Sequence, residues 1–174
     1  MFGGTLLFRS AQSPFMEKVS VENVEPQAMG SDVDRRSLAE PLGTADLAIN
    51  RYALEPGEAF SPGLHAHLDQ EELFYVVSGT ATFEFRSDPA GESETVEVGP
   101  HEAIRFAPGD YQQGRNESDE QVVALALGAP RETTEGRLAQ PCPDCDSDAL
   151  ALAAGEDGPV LRCPDCGAEM PADL

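Results

Sequence analysis

Tryptophan is absent, and lysine occurs once, at Lys18, in a chain of 174 residues. No apolar run approaches the roughly 20 residues that a membrane-spanning helix needs, so such a helix is excluded. Bases are scarce altogether: Lys+Arg is 11 against 32 Asp+Glu, for a formal net charge of -21. So few cations cannot lay a basic stripe along phosphates, which argues against nucleic-acid binding. The same shortage argues against adsorption to an anionic membrane surface. Hydrophobic residues still make up 40%. That is enough for one core, so wholesale disorder is not expected.

What the chain has in excess is acid. A surface this acidic repels itself in dilute salt, and it suits a very salty cytosol where screening shortens the repulsion. A halophile-type, cytoplasmic protein is the expectation. At the N-terminus, the apolar patch Leu6-Leu7-Phe8 is stopped by Arg9, far short of a secretory signal. Residues 1–15 read as a leader, with Met16 as a candidate start.

Residues 1–43 form a lead-in, with helical turns expected over Asp32–Leu38 and Ser31 as their N-cap. Strand signals follow. Asp46–Leu54 alternates apolar with polar, and Glu72–Val77 is aromatic and β-branched. Thr80–Phe85 alternates at period two, and the Ser78-Gly79 turn suggests that it pairs with 72–77 as a hairpin. Thr95–Val98, Ala103–Phe106 and Val122–Leu127 complete a series of short strands separated by Gly/Pro/Asn turns. Such a series indicates an all-β sandwich or barrel over residues 44–128. Phe74, Val76, Phe83, Phe85, Ile104 and Phe106 are its expected interior. Residues 129–140 lack periodicity and read as a linker.

His65 and His67 stand two apart, so on an extended strand both imidazoles face one side, about 7 Å apart at Cα. Glu71 and Glu72 follow after a short connection. Two imidazoles and one carboxylate suit a divalent transition metal: Fe, Mn, Ni or Zn. The segment from Gly57 to Gly79 also resembles the first motif of the cupin superfamily: His65-x-His67, four residues, Glu72, six residues, Gly79. Pro108-Gly109 and Asn116 match the second motif, but Gln112 stands where that motif has a histidine. The resemblance implies a double-stranded β-helix, a jelly-roll barrel whose mouth holds a metal on His65, His67 and Glu72. It makes Gln112 a fourth, weaker candidate ligand. His101 is expected at the surface, and Glu71 facing solvent or behind the ligands. Tyr52, Tyr75, Arg105 and Tyr111 are candidate polar contacts to a small-molecule substrate. Cupins commonly pair through their barrels, so a homodimer is expected.

Residues 141–174 contain all four cysteines, as Cys142-Pro-Asp-Cys145 and Cys163-Pro-Asp-Cys166. Two Cys-x-x-Cys knuckles at this separation predict a tetrahedral zinc site. Ala149–Ala153 and Pro159–Arg162 should pair about the Gly155–Gly158 turn. The arrangement resembles a zinc ribbon. Four protein ligands leave no open position, so the Zn2+ would be structural. Arg162 is this segment's sole base, so docking onto a partner protein is favoured over DNA. Three readings follow for the whole chain: a metal-dependent oxygenase or isomerase, a ligand-binding regulatory module, or an accessory protein with a vestigial pocket.

Overall fold

The computed structural model describes residues 16–27, 33–155 and 158–172. The expected leader, Ser31 and Asp32 lie outside the described residues. Among the described residues, thirteen strands and one short helix follow a 3-10 turn at Val21–Asn23. They are β1 Asp34–Ser37, α1 Ala39–Leu42, β2 Ala48–Leu54, β3 His65–His67, β4 Glu71–Ser78, β5 Ala81–Arg86 and β6 Glu94–Val98. After these come β7 Ala103–Phe106, β8 Tyr111–Arg115, β9 Val122–Ala129, β10 Gly136–Leu138, β11 Leu150–Ala154, β12 Pro159–Arg162 and β13 Glu169–Pro171. Among the described residues, no helix is long and apolar enough to cross a membrane.

The strands form two antiparallel sheets, β1-β2-β9-β4-β7 and β13-β12-β11-β10-β3-β8-β5-β6. Alternation explains their packing. Along β9, every second residue from Val122 to Gly128 is buried, as a strand with one face on the core requires. Between the sheets, Phe60, Phe74, Phe83 and Phe106 sit with neighbouring ring centroids 4.9–6.3 Å apart. Leu54, Val76, Ala81 and Val122 fill the gaps with no exposed surface. Of the expected interior, Phe74, Val76, Phe83 and Phe106 are buried, and Phe85 and Ile104 pack against them partly covered.

Three expectations need correction. First, β4 and β5 are not a hairpin: β4 pairs with β7 and β9, whereas β5 pairs with β6 and β8. The Ser78-Gly79 corner carries the chain from one sheet to the other. Gly79 has φ +75, and a Cβ there would meet Gln121 O at 2.6 Å, so no larger residue fits this corner. Second, residues 34–37 are a strand rather than helical turns. Asp34 joins Arg36 and Arg51 in ion pairs of 2.7 Å each, and β1 gains a full ladder with β2. Third, the expected linker holds β10, which hydrogen-bonds to β3 on one side and β11 on the other. The cysteine-bearing hairpin therefore extends the barrel's own sheet.

That hairpin is β11 with β12, in the expected place. Its two knuckles close alike: Cys142 N donates to Ser147 O and Cys163 N to Ala168 O, both at 2.8 Å. Gly167, at φ +78, makes the tight turn after the second knuckle.

Candidate functional site

Strand β3 presents His65 and His67 on one face, and Ala66 points the other way into the core, 1% exposed. Glu72 begins the buried parity of β4, in step with Phe74 and Val76. Gln112 lies directly across from His65 in the β3–β8 register. One nitrogen or oxygen from each of His65, His67 and Glu72 falls within 4.8 Å of the others. His67 Nε2 is 3.7 Å from Glu72 Oε2. Gln112 Nε2 donates to Glu72 Oε2 at 2.8 Å and lies 3.3 Å from His65 Nε2.

Hydrogen bonds behind the rings set their orientation. His65 Nδ1 is 3.1 Å from Gly63 O; a carbonyl only accepts, so Nδ1 carries the proton and the Nε2 lone pair is on the side of Gln112 and the cluster. Thr133 Oγ1 donates to Asp69 Oδ1 at 2.6 Å and sits 3.3 Å from His67 Nδ1. Its single proton is committed to Asp69, so it accepts from His67, whose Nε2 lone pair is likewise left free. Bonds from Thr133 and Thr134 hold the Asp69 carboxyl far below the usual carboxylate range. Burial pushes the Glu72 carboxyl up to about 7. Burial, and then the neighbouring His67, bring His65 down to about 4. His67 is lowered too, by burial. The two imidazoles are thus held in the neutral form that a metal requires, whereas Glu72 would give up its proton on binding one.

The residues fit a divalent ion. Two imidazole nitrogens and a carboxylate converge, the His65 one facing the Gln112 amide nitrogen, and Gln112 Oε1 is a buried acceptor with no hydrogen-bond partner. An amide's O and N are interchangeable by a flip of χ3, and that flip would turn Oε1 toward the same centre.

A cavity of about 550 Å³ opens beside the cluster. The barrel gives it Phe60, Phe74 and the three candidate ligands. The flanking segments give it Val33 and Arg35 from the N-terminal side and Thr133, Leu138 and Leu152 from the C-terminal side. Of the candidate substrate contacts, Tyr52 lines this cavity. Tyr75, Arg105 and Tyr111 do not, which corrects that expectation. Tyr75 pairs its hydroxyl with His101 Nδ1 at 3.0 Å on the outer face, and Arg105 joins Glu71 at 2.6 Å in solvent. Tyr111 alternates to the face opposite Gln112. The matching Asn116 is fully buried but structural: its amide bonds Leu54 O, Glu120 O and Ser118. Sequence reasoning missed Arg35, Asn50 and Thr133, which reach the pocket only through tertiary pairing.

The four cysteines form a second cluster, all free of disulfides. Cys142 and Cys166 sulfurs are 3.7 Å apart, and Cys145 and Cys163 3.5 Å. Thiolates bound tetrahedrally at about 2.3 Å from one ion stand about 3.8 Å apart, so this spacing also fits a metal.

Residues 50–128 match the Cupin_2 family, described as the cupin domain. No curated protein matches the sequence. Among solved structures, a sugar phosphate isomerase of the cupin superfamily from Silicibacter pomeroyi is similar at TM-score 0.66 and 19% identity, over 90% of this chain and 98% of that one. A protein with a double-stranded β-helix domain from Klebsiella pneumoniae matches at TM-score 0.53 and 19% identity, over 71% and 96%. A variant of the Bacillus subtilis oxalate decarboxylase matches at 0.56 and 18%, over 66% of this chain and 30% of its own. Residues 50–128 thus match the cupin-domain family, and the two-sheet architecture is the fold that this chain shares with these solved structures.

Proposed function

We propose that this protein is a mononuclear metal-dependent cupin enzyme acting on a small polar substrate, with His65, His67 and Glu72 as ligands to Fe, Mn, Ni or Zn. The observation that carries this reading is the convergence of those three side chains, lone pairs inward, beside a 550 Å³ cavity. A divalent ion held by these residues would supply Lewis acidity to a substrate oxygen. The chain does the rest. Gly63 O and Thr133 fix the imidazoles, Gln112 holds Glu72, and Phe60 and Phe74 keep bulk water from one wall. Between the oxygenase and isomerase types, the isomerase type draws support from the Silicibacter pomeroyi neighbour, named a sugar phosphate isomerase, whose fold is shared over 90% of this chain.

The four cysteines hold a structural zinc ion in this reading, making residues 141–174 a zinc ribbon. A second reading, a ligand-binding module whose ribbon docks a partner protein, draws support from Gln112. A neutral amide in place of a fourth imidazole weakens metal affinity.

Elemental analysis tests the proposal. The expected result is two metal ions per chain, one of them zinc, with the His65→Ala/His67→Ala variant losing one and keeping the other. Equal metal content in wild type and variant would overturn the enzyme reading.

A further inference from the structure

The two histidines of the cluster are held from behind by different parts of the chain. His65 Nδ1 faces Gly63 O, a backbone atom of its own loop, so no side-chain substitution removes its acceptor. His67 Nδ1 faces Thr133 Oγ1 at 3.3 Å. That hydroxyl lies 66 residues further on and outside the cupin match at 50–128. A hydroxyl donates or accepts as its surroundings dictate, so Thr133 alone leaves either tautomer of His67 open. The tautomer with its proton on Nε2 has a rival attraction, because Glu72 Oε2 lies 3.7 Å from that nitrogen. An imidazole protonated on Nε2 cannot ligate a metal through it.

Asp69 decides between them. Its Oδ1 accepts the Thr133 hydroxyl at 2.6 Å, and its Oδ2 accepts Thr134 N at 2.8 Å and Thr134 Oγ1 at 2.9 Å. With its one proton given to Asp69, Thr133 can only accept from His67. The residues on either side of Asp69 grip the same segment. Leu68 N donates to Glu135 O at 2.9 Å. Gln70, 6% exposed, donates from Nε2 to Pro130 O at 2.6 Å. It lies so close to Gly128 that a Cβ there would meet its amide carbon at 2.7 Å. Strand β10 then continues the pairing, with Gly136 opposite His67. All three residues after His67 therefore hold residues 130–136 against the histidine strand.

We infer that Asp69 is a positioning residue for the candidate metal site: acting through the Thr133 hydroxyl, it keeps the proton of His67 on Nδ1 and so leaves Nε2 able to ligate. This deepens the function proposed above and rests on it only for the use to which Nε2 is put. Thr133 lies past the family match, so the segment between the barrel and the cysteine-bearing hairpin sets the state of a barrel ligand.

Asp69→Asn tests this, because a backbone N–H can only donate. The new amide oxygen must turn to Thr134 N, and the amide nitrogen then donates to Thr133 Oγ1. The Thr133 proton swings to His67 Nδ1, and the imidazole proton moves to Nε2. Long-range proton–nitrogen correlation spectra of the full-length, histidine-labelled chain read the tautomer directly, and a total of 3 histidines keeps them simple. The barrel site is first emptied with a mild chelator, at about pH 8, where imidazoles are neutral. Wild type should show His67 protonated on Nδ1, and Asp69→Asn on Nε2, with His65 unchanged in both as the internal standard. Titration with Co2+ should show barrel-site affinity falling about 10- to 100-fold in Asp69→Asn and in Thr133→Val, with Thr133→Ser retaining it. A wild type with His67 protonated on Nε2 overturns the inference without relying on any variant. So does an Asp69→Asn chain that keeps the proton on Nδ1, or wild-type affinity in Asp69→Asn. If His65→Ala/His67→Ala leaves the metal content unaltered, the enzyme reading fails while the tautomer result still stands or falls by itself.

Discussion

The barrel and the cysteine-bearing hairpin belong to one sheet, yet they are held by different forces. The barrel buries four phenylalanines with Leu54, Val76 and Val122 around them, and each such side chain contributes about 1.5–3 kcal/mol. The hairpin's buried cluster is Cys142, Leu150, Leu161 and Cys163, with Leu138 and Met170 at its margin. Two buried leucines cannot offset the ordering of some thirty residues. The barrel is thus a fold that stands without its candidate metal site, and the hairpin a fold whose candidate site would have to supply what its core lacks.

Cys145→Ser/Cys163→Ser should separate the two most widely. The expectation is loss of amide dispersion over residues 141–172 in an NMR spectrum, with the barrel's pattern intact. A hairpin that stays folded would break the contrast, and so would a barrel that melts with it. Next in size is Phe83→Ala. It removes a ring with no exposed surface that touches Phe60, Phe74 and Phe106, and should lower barrel stability by about 3–5 kcal/mol in urea titration. Any metal held by the hairpin's cysteines should remain bound while the barrel is still folded.

The smallest effect concerns what the barrel loses by holding its site ready. In the metal-free protein, Glu72 titrates at about 7 against 4.5 unfolded. Its contribution is full below 4.5 and lost as pH rises through 7. His65 titrates at about 4 against 6.5, so its contribution is present above 6.5 and lost as pH falls through 4. Between 4.5 and 6.5 the two slopes oppose one another, and wild-type stability should change little there. Glu72→Gln should leave the histidine slope alone, so that stability rises with pH across that window. At pH 8 the variant should exceed metal-free wild type by up to about 3 kcal/mol. Thermal melts across pH check this, and parallel profiles for the two proteins would refute it.

The sequence made the alternating strands legible, because one buried face imposes period two. β7 and β12 have the expected limits. β1 and β8 escaped notice because Asp-Arg-Arg-Ser and Tyr-Gln-Gln-Gly-Arg carry no apolar alternation. Long-range pairing makes them strands, and in β8 the buried Gln112 and Gln113 find partners across the fold. The false hairpin arose from reading adjacency in sequence as pairing in space. The three converging side chains of the candidate site could be seen from their spacing and the family motif. Parity could have excluded Tyr75, Arg105 and Tyr111 as well: if Glu72, Phe106 and Gln112 face the site, their odd-step neighbours face away from it. Arg35 and Asn50 carried no such signal, since only the β1–β2 register turns them toward the histidines.

By covering β3, β10 moves the sheet's open border outward to β13, three residues ending in Pro171. The opposite border, β6, carries Glu94 and Glu97. A short strand with proline and a strand studded with acids are both poor templates for another chain's backbone. The segment that walls the pocket therefore also protects the protein from edge-to-edge aggregation, and its detachment would bare the histidine strand to intermolecular pairing.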